Sequence, residues 1–166
     1  MTVCIVYHSG TGNTRAVAER LSSLVGGDLV EVKDLAHYSK IGMYLKGGRL
    51  AMKKGLAAIE PAAIDVAAYD TVVVGTPVWA GSPTPAINAA ISALAGIEGK
   101  PAIVFCTSGG SPGKTLETLK TMFAGRGADV RGAAAFTAGD ARKGKGAEAL
   151  ADLVRRAEKG IAVQER

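Results

Sequence analysis

The chain has 166 residues, of which 48 % are hydrophobic, and a formal net charge of +5. This length and apolar content are those of one folded domain, which we place over residues 1–166, and they exclude an intrinsically disordered chain. No apolar run approaches the roughly 20 residues of a membrane-spanning helix, and the first residues lack a signal peptide, so we expect a cytoplasmic protein with no membrane span. The basic residues are dispersed and aromatic residues are scarce, which argues against a nucleic-acid partner.

Apolar, β-branched runs alternate with segments of helical periodicity along the whole chain. Strands that alternate with helices in this way form a parallel sheet with helices on both faces. The sequence therefore predicts an α/β fold, a three-layer sandwich around a five-stranded parallel sheet. The predicted strands are Thr2–Tyr7, Leu29–Lys33, Thr71–Gly75, Pro101–Cys106 and Val130–Phe136, and the predicted helices are Thr14–Val25, Pro85–Leu94, Gly113–Phe123 and Gly146–Lys159.

The segment from His37 to Glu60 interrupts this alternation. It is rich in Gly, Lys and Met, at a place where a parallel sheet needs a crossover helix between its second and third strands. Its basic part, Lys40–Lys54, has two interpretations. It is a flap or docking surface for an acidic partner, or a solvated crossover whose lysines face water.

The two cysteines, Cys4 and Cys106, each lie in an apolar run that is predicted to be a strand. Their spacing matches neither a C-x-x-C motif nor a metal-binding pattern. We therefore predict two buried core thiols, and no metal site.

A loop of hydroxyls and glycines lies between the first predicted strand and the first predicted helix: Ser9, Gly10, Thr11, Gly12, Asn13 and Thr14. Backbone N–H groups and the positive end of the helix converge on such a loop, and glycines let a phosphate approach the backbone. The loop is uncharged, which suits a permanently bound phosphate monoester better than a reacting triphosphate, because the latter usually needs a Lys and a metal ion. The alternative is an ordinary polar turn that caps the helix.

This loop resembles the phosphate loop of the flavodoxins, a family of FMN-binding electron carriers, since Ser9 to Thr14 match the T/S-x-T-G-x-T pattern at every specified position. The resemblance implies a flavodoxin-like sheet with strand order 2-1-3-4-5. It also implies non-covalently bound FMN, whose phosphate would be held by this loop. In that strand order, the connections after strands one, three and four share one edge of the sheet, where ligands bind in doubly wound folds.

The connection after the third predicted strand holds the only tryptophan of the chain, Trp79. A flat apolar ring in a Pro/Gly-rich loop suits stacking on a flat ligand, and a Trp folded back to anchor its own loop is the alternative. Gly75 to Trp79 also resembles the flavodoxin loop whose aromatic residue lies against the isoalloxazine ring. The resemblance implies flavin contacts from Thr76, Pro77, Val78, Trp79, Ala80 and Gly81.

The connection after the fourth predicted strand begins with small residues. The resemblance places Thr107, Ser108, Gly109 and Gly110 along the other edge of the flavin. Typical flavodoxins often carry a Tyr here that covers the second ring face, with acidic residues nearby, and this sequence has neither. The resemblance therefore implies one open flavin face.

Two functions follow from the resemblance. The first is a carrier of low-potential electrons between redox protein partners, one of which is acidic if the positive net charge contributes to docking. Plain electron transfer needs no catalytic acid or base, because the cofactor supplies the electron chemistry. The alternative, which the open face favours, is an NAD(P)H-dependent quinone or flavin reductase.

A remote alternative is a nucleotide-binding protein. Ser108 to Thr115 nearly matches the G-x-x-x-x-G-K-[ST] loop and follows an apolar strand. However, Ser108 replaces the first glycine of that motif, and Pro112 has no N–H to offer a phosphate.

Two other classes are excluded by residue order. Gly109 to Gly113 formally matches the G-x-S-x-G elbow of hydrolases, but both histidines, His8 and His37, precede Ser111, whereas the catalytic His of that fold follows its Ser. A phosphoacceptor receiver domain needs acidic residues at the ends of the first and third strands, and none is present there.

Overall fold

Five strands form the central sheet: β1 (Val3–Tyr7), β2 (Asp28–Glu31), β3 (Thr71–Trp79), β4 (Pro101–Ser108) and β5 (Asp129–Thr137). The structure is a computed structural model that describes residues 2–36 and 57–160. The order across the sheet is β5-β4-β3-β1-β2, and every neighbouring pair runs parallel. The predicted α/β fold and the strand order 2-1-3-4-5 are therefore confirmed.

The helices of the described residues cover both faces of this sheet. They are α1 (Asn13–Val25), α2 (Pro85–Ala93), α3 (Thr115–Gly125), α4 (Ala138–Arg142) and α5 (Ala147–Glu158). None of these helices is long and apolar enough to cross a membrane. The short helix α4 is absent from the sequence prediction. The predicted crossover helix and the basic segment Lys40–Lys54 lie outside the described residues.

Two hydrophobic clusters hold the three layers together. Because successive side chains of a strand point to opposite faces, Ile5, Val73 and Ile103 pack with α1 and α5, whereas Val6 and Val74 pack with α2 and α3. These side chains are fully buried, and each contributes roughly 1.5–3 kcal/mol to folding. Burial on both faces explains why the central strands read as continuous apolar runs.

Helix α1 is amphipathic and sets the position of the loop before it. Thr14, Val17, Ala18 and Leu21 are buried and recur at the spacing of one helical face. The helix ends at Gly26, which adopts φ 69° and donates its N–H to a carbonyl in the last turn. Packing of this face on the sheet places the N-terminus of α1 at the carboxyl-terminal edge of β1.

The predicted loop after the third strand is instead a β-hairpin. Strand β3 continues beyond its predicted end at Gly75 as far as Trp79, and Ser82–Pro83 pairs with it in the antiparallel direction. The turn between them is Ala80–Gly81, where both residues have positive φ, 49° and 72°.

The predicted second strand, Leu29–Lys33, is divided in the structure. Strand β2 ends at Glu31, and Lys33–Asp34 forms a separate antiparallel pair with Ile59–Glu60. A further short parallel pair joins Ile64–Asp65 to Leu94–Ala95.

The two cysteines are buried and free, as predicted. Burial raises the pKa of the Cys4 thiol to about 11 and that of the Cys106 thiol to about 12. Both thiols therefore stay protonated near neutral pH and are poor nucleophiles.

Candidate functional site

Three connections meet at the carboxyl-terminal edge of the sheet around a cavity of about 400 Å³. The first joins β1 to α1, the second is the hairpin at the end of β3, and the third follows β4. The volume lies within the roughly 300–1,000 Å³ of small-molecule sites, and the location is where doubly wound folds bind ligands. The lining residues are Thr11, Asn13, Pro77, Val78, Trp79, Ala80, Thr107, Ser108, Gly109, Ala138 and Arg142.

The remaining predicted site residues adjoin this lining in sequence but are outside it. Ser9, Gly10, Gly12 and Thr14 complete the loop before α1 and the first turn of that helix, Thr76 precedes the lining part of β3, Gly81 is in the hairpin turn, and Gly110 follows Gly109.

Ser9 braces the loop before α1. Its hydroxyl oxygen accepts the N–H of Gly12 at 3.1 Å and the N–H of Arg15 at 3.2 Å. Gly12, just before the helix, has φ 93°, a left-handed conformation that favours glycine. Ser9 therefore ties the loop to the first turn of α1.

Other N–H groups of this loop remain available to an anion. Within the described residues, the backbone N–H groups of Gly10, Thr11, Asn13 and Thr14 have no acceptor. They lie at the N-terminus of α1, where the helix dipole favours negative charge. The nearest cation in sequence, Arg15, forms an ion pair with Glu31. The loop is thus a neutral cradle of donors, as its composition predicts.

A buried hydrogen bond joins the first and third connections. The hydroxyls of Thr14 and Thr107 lie 2.8 Å apart, although the residues are 93 positions apart in the sequence. Both residues are buried. This bond fixes the start of α1 relative to the end of β4.

Thr76, predicted to contact the flavin, has its hydroxyl engaged within the hairpin. The hydroxyl accepts the N–H of Thr84 at 3.1 Å and donates to the carbonyl of Pro77 at 2.9 Å. Thr84 in turn caps α2. Thr76 thus anchors the hairpin that carries Trp79.

Trp79 is half-buried and contacts His8 at the end of β1. The two ring centroids are 5.9 Å apart, and the rings meet edge to face at 81°. His8 is buried, and its Nδ1 lies 2.8 Å from the carbonyl of Val32. Since a carbonyl only accepts, Nδ1 carries a proton, and Nε2 of the neutral ring is unprotonated.

Burial lowers the pKa of His8 below its ordinary value, against smaller opposing effects of the Val32 carbonyl and the carboxylates of Asp34 and Glu31. The unfolded chain binds a proton at His8 below about pH 6.5, while the folded chain binds it only at a lower pH. The stability linked to His8 is therefore complete above that pH and is lost as the pH falls toward the folded pKa.

We expect His8→Gln to flatten the decline in folding stability between about pH 7.5 and about pH 5.5, because glutamine does not titrate. Urea midpoints of the wild type and the variant, measured at both pH values, test this. The contribution of His37 is common to both proteins and cancels. An equally steep decline in the variant would exclude His8 as its source.

In the nucleotide loop considered for Ser108 to Thr115, the backbone N–H groups next to α3 are already bonded. The N–H of Lys114 donates to the carbonyl of Gly81 at 2.8 Å, and the N–H of Thr115 donates to the carbonyl of Pro112 at 3.1 Å. The start of α3 is therefore closed to a phosphate at these positions, and the segment instead ties the third connection to the hairpin turn.

Sequence reasoning missed two lining residues, Ala138 and Arg142, which belong to α4. A helix of five residues is too short to show helical periodicity. The one available signal was the basic run Arg142, Lys143 and Lys145 directly after the last strand.

The sequence matches the flavodoxin family model over residues 2–129. No curated protein sequence matches the chain closely enough to count as a relative. Solved structures with the same fold include two proposed flavoproteins, from Bacteroides uniformis ATCC 8492 (24 % identity, 93 % of this chain and 97 % of that one, TM-score 0.74) and from Bacteroides eggerthii DSM 20697 (26 % identity, 93 % and 98 %, TM-score 0.71). A third is a flavoprotein in complex with FMN from Lactobacillus acidophilus NCFM (24 % identity, 81 % and 92 %, TM-score 0.65). With the family model covering most of its length and the sheet order in agreement, the chain belongs to the flavodoxin family.

Proposed function

We propose that this protein binds FMN non-covalently in the cavity and passes electrons between redox protein partners. The observation that carries the proposal is one cavity of about 400 Å³ whose lining joins Thr11 and Asn13, from the uncharged cradle of N–H donors, to a half-buried tryptophan. A ligand with a phosphate at one end and a flat ring system at the other matches both features. The family to which the chain belongs supports the same cofactor.

The loop before α1 would hold the phosphate. Four backbone N–H groups, from Gly10, Thr11, Asn13 and Thr14, have no acceptor among the described residues and lie where the helix dipole is positive. Hydrogen bonds from such groups to a charged acceptor are stronger than those between neutral groups. The cradle therefore provides affinity without a lysine.

The hairpin and the third connection would hold the ring system. Trp79 offers an aromatic face, and the neighbouring Pro77 and Val78 add apolar surface to the lining. Thr107 and Ser108 bring polar groups to it. When bound, FMN supplies the electron chemistry, while the protein binds and orients it.

The carrier function agrees with the chemistry of the lining. Among the described lining residues, Arg142 is the one with a charged side chain, and a guanidinium only donates hydrogen bonds. These described residues offer no general acid or base, and electron transfer between proteins needs none.

One observation favours an NAD(P)H-linked reductase as a second candidate. The third connection brings only small side chains to the lining, those of Thr107, Ser108 and Gly109. A nicotinamide or quinone would then find room beside the flavin.

The cofactor is tested by adding FMN to the purified protein, desalting it and recording the visible spectrum. We expect a retained yellow chromophore and quenching of Trp79 fluorescence, which reports on this cavity because Trp79 is the only tryptophan of the chain. Riboflavin, which lacks the phosphate, serves as the matched ligand, and we expect it to bind roughly tenfold to a hundredfold more weakly. A colourless protein would contradict FMN binding, and equal affinities would contradict the phosphate cradle.

Anaerobic mixing of the FMN-loaded protein with NADPH or NADH separates the two functions. In a carrier, the visible absorbance of the flavin falls slowly with either nucleotide alone. It falls rapidly once a catalytic amount of an NADPH-dependent flavoprotein reductase is added. Rapid bleaching by the nucleotide alone would instead establish the reductase.

A further inference from the structure

Arg142 gives the cavity a positive charge. It is the last residue of α4, it is exposed, and it lies in the lining beside uncharged side chains. Its Nε donates to the carbonyl of Ala138 at 3.1 Å, which holds the base of the guanidinium against its own helix.

No carboxylate neutralises this charge within the part of the chain that the structure describes. Five other arginines form ion pairs there, but Arg142 forms none: the paired ones are Arg15, Arg20, Arg126, Arg131 and Arg155. The acidic residue nearest in sequence, Asp140, accepts a hydrogen bond from the Thr137 hydroxyl at 2.8 Å, within the cap of α4. The guanidinium is therefore available to the contents of the cavity.

We propose that Arg142 stabilises the reduced form of the bound flavin relative to the oxidised form, and so raises its reduction potential. This inference rests on the proposed binding of FMN. Two electrons from a reductant and one proton from solvent add one net negative charge to the ring system. A cation in the cavity wall lowers the free energy of that added charge, because opposite charges attract more strongly in a partly dry cavity than in water.

The donors of the phosphate cradle favour the ring over the phosphate as the group that Arg142 acts on. Helix α4 follows β5, whose sheet neighbour β4 carries the third connection with Ser108 and Gly109. Helix α4 also packs against α1, whose N-terminus forms the phosphate cradle, since Ala141 is buried in the same cluster as Val17. The cradle also supplies its own donors, so the phosphate does not depend on this arginine.

The test is Arg142→Gln in the FMN-loaded protein. The midpoint potential of bound FMN is measured by dithionite titration against a reference dye, and the Kd for oxidised FMN is measured separately. The shift in potential gives the ratio of the Kd of oxidised FMN to that of reduced FMN. Loss of one unit charge from a cavity wall that is partly exposed to water predicts that the ratio falls about three- to tenfold in the variant.

Two variants control for the loss of the side chain itself. Arg142→Lys keeps the charge and should keep most of the ratio. Lys145→Gln removes one exposed positive charge from the turn after α4, outside the lining, and should change the ratio less than about twofold, because solvent screens it.

A salt titration of the wild-type protein needs no substitution. Raising KCl from about 0.05 M to about 1 M should lower the ratio, because salt screens an exposed guanidinium.

The outcomes are distinct. An unchanged ratio with both Kd values unchanged in Arg142→Gln would overturn the inference and leave the proposed function intact. Equal weakening of oxidised and reduced FMN would also overturn it, and would place the guanidinium on the phosphate. A wild-type protein that retains no FMN would remove the proposed function, and this inference with it.

Discussion

Replacing Gly113 by alanine is expected to lower the free energy of unfolding by about 2–4 kcal/mol and to abolish tight FMN binding. Gly113 has φ 54°, and a Cβ built on it would lie 2.5 Å from the Cα of Gly81 and 2.7 Å from its carbonyl oxygen. Both contacts are with backbone, so no side chain can rotate away. The same carbonyl accepts the Lys114 N–H at 2.8 Å, which ties the two connections together at this point.

Gly99→Ala is the matched control. Gly99 also has positive φ, 72°, but a Cβ there would meet nothing within 4 Å. Its substitution therefore measures conformational strain alone, about 1–2 kcal/mol, with FMN affinity unchanged. Urea denaturation followed by Trp79 fluorescence, together with FMN titration, distinguishes the two variants. Equal losses of stability would mean that the contact between Gly113 and Gly81 does not constrain the site.

The sequence predicted the strands of the sheet but not the hairpin after β3, for physical reasons. The strands were recognisable because burial on both faces demands unbroken apolar runs, as in Thr71–Gly75. The extension of that strand to Trp79 was missed because Pro77 usually marks the end of a strand. The turn at Ala80 was missed for another reason: an alanine gives no sequence signal of positive φ.

Some features of the candidate site could likewise be predicted from the sequence, and others could not. The position of the loop before α1 was predictable because it depends on local spacing alone, with glycines and hydroxyls between a strand and a helix; its role as a phosphate site stays a prediction. Contacts between residues distant in sequence could not be predicted, because the Thr14 hydroxyl meets Thr107 only in the folded chain. Arg142 was missed because it reaches the cavity from a single short turn of helix.

We expect Trp79→Leu to weaken FMN binding by roughly tenfold to a hundredfold. Stacking of a flat aromatic ligand on an aromatic side chain is worth roughly 1–3 kcal/mol, and each 1.4 kcal/mol changes an affinity about tenfold. Leucine keeps an apolar side chain in the lining but has no flat face. It also removes the edge-to-face contact with His8, which is part of the support of the hairpin.

Trp79→Phe is the comparison that separates stacking from support. Phenylalanine retains an aromatic face, so we expect less than about a tenfold loss. Both variants lack tryptophan, so binding is followed by the change in FMN fluorescence, and urea denaturation reports the stability of each. If Leu and Phe weaken binding equally and both lower the stability, Trp79 does not lie against the ring, and its role is to anchor the hairpin. If the loss follows the missing aromatic face, the cavity is a flavin site whose affinity comes from a stacking surface at one end and N–H donors at the other.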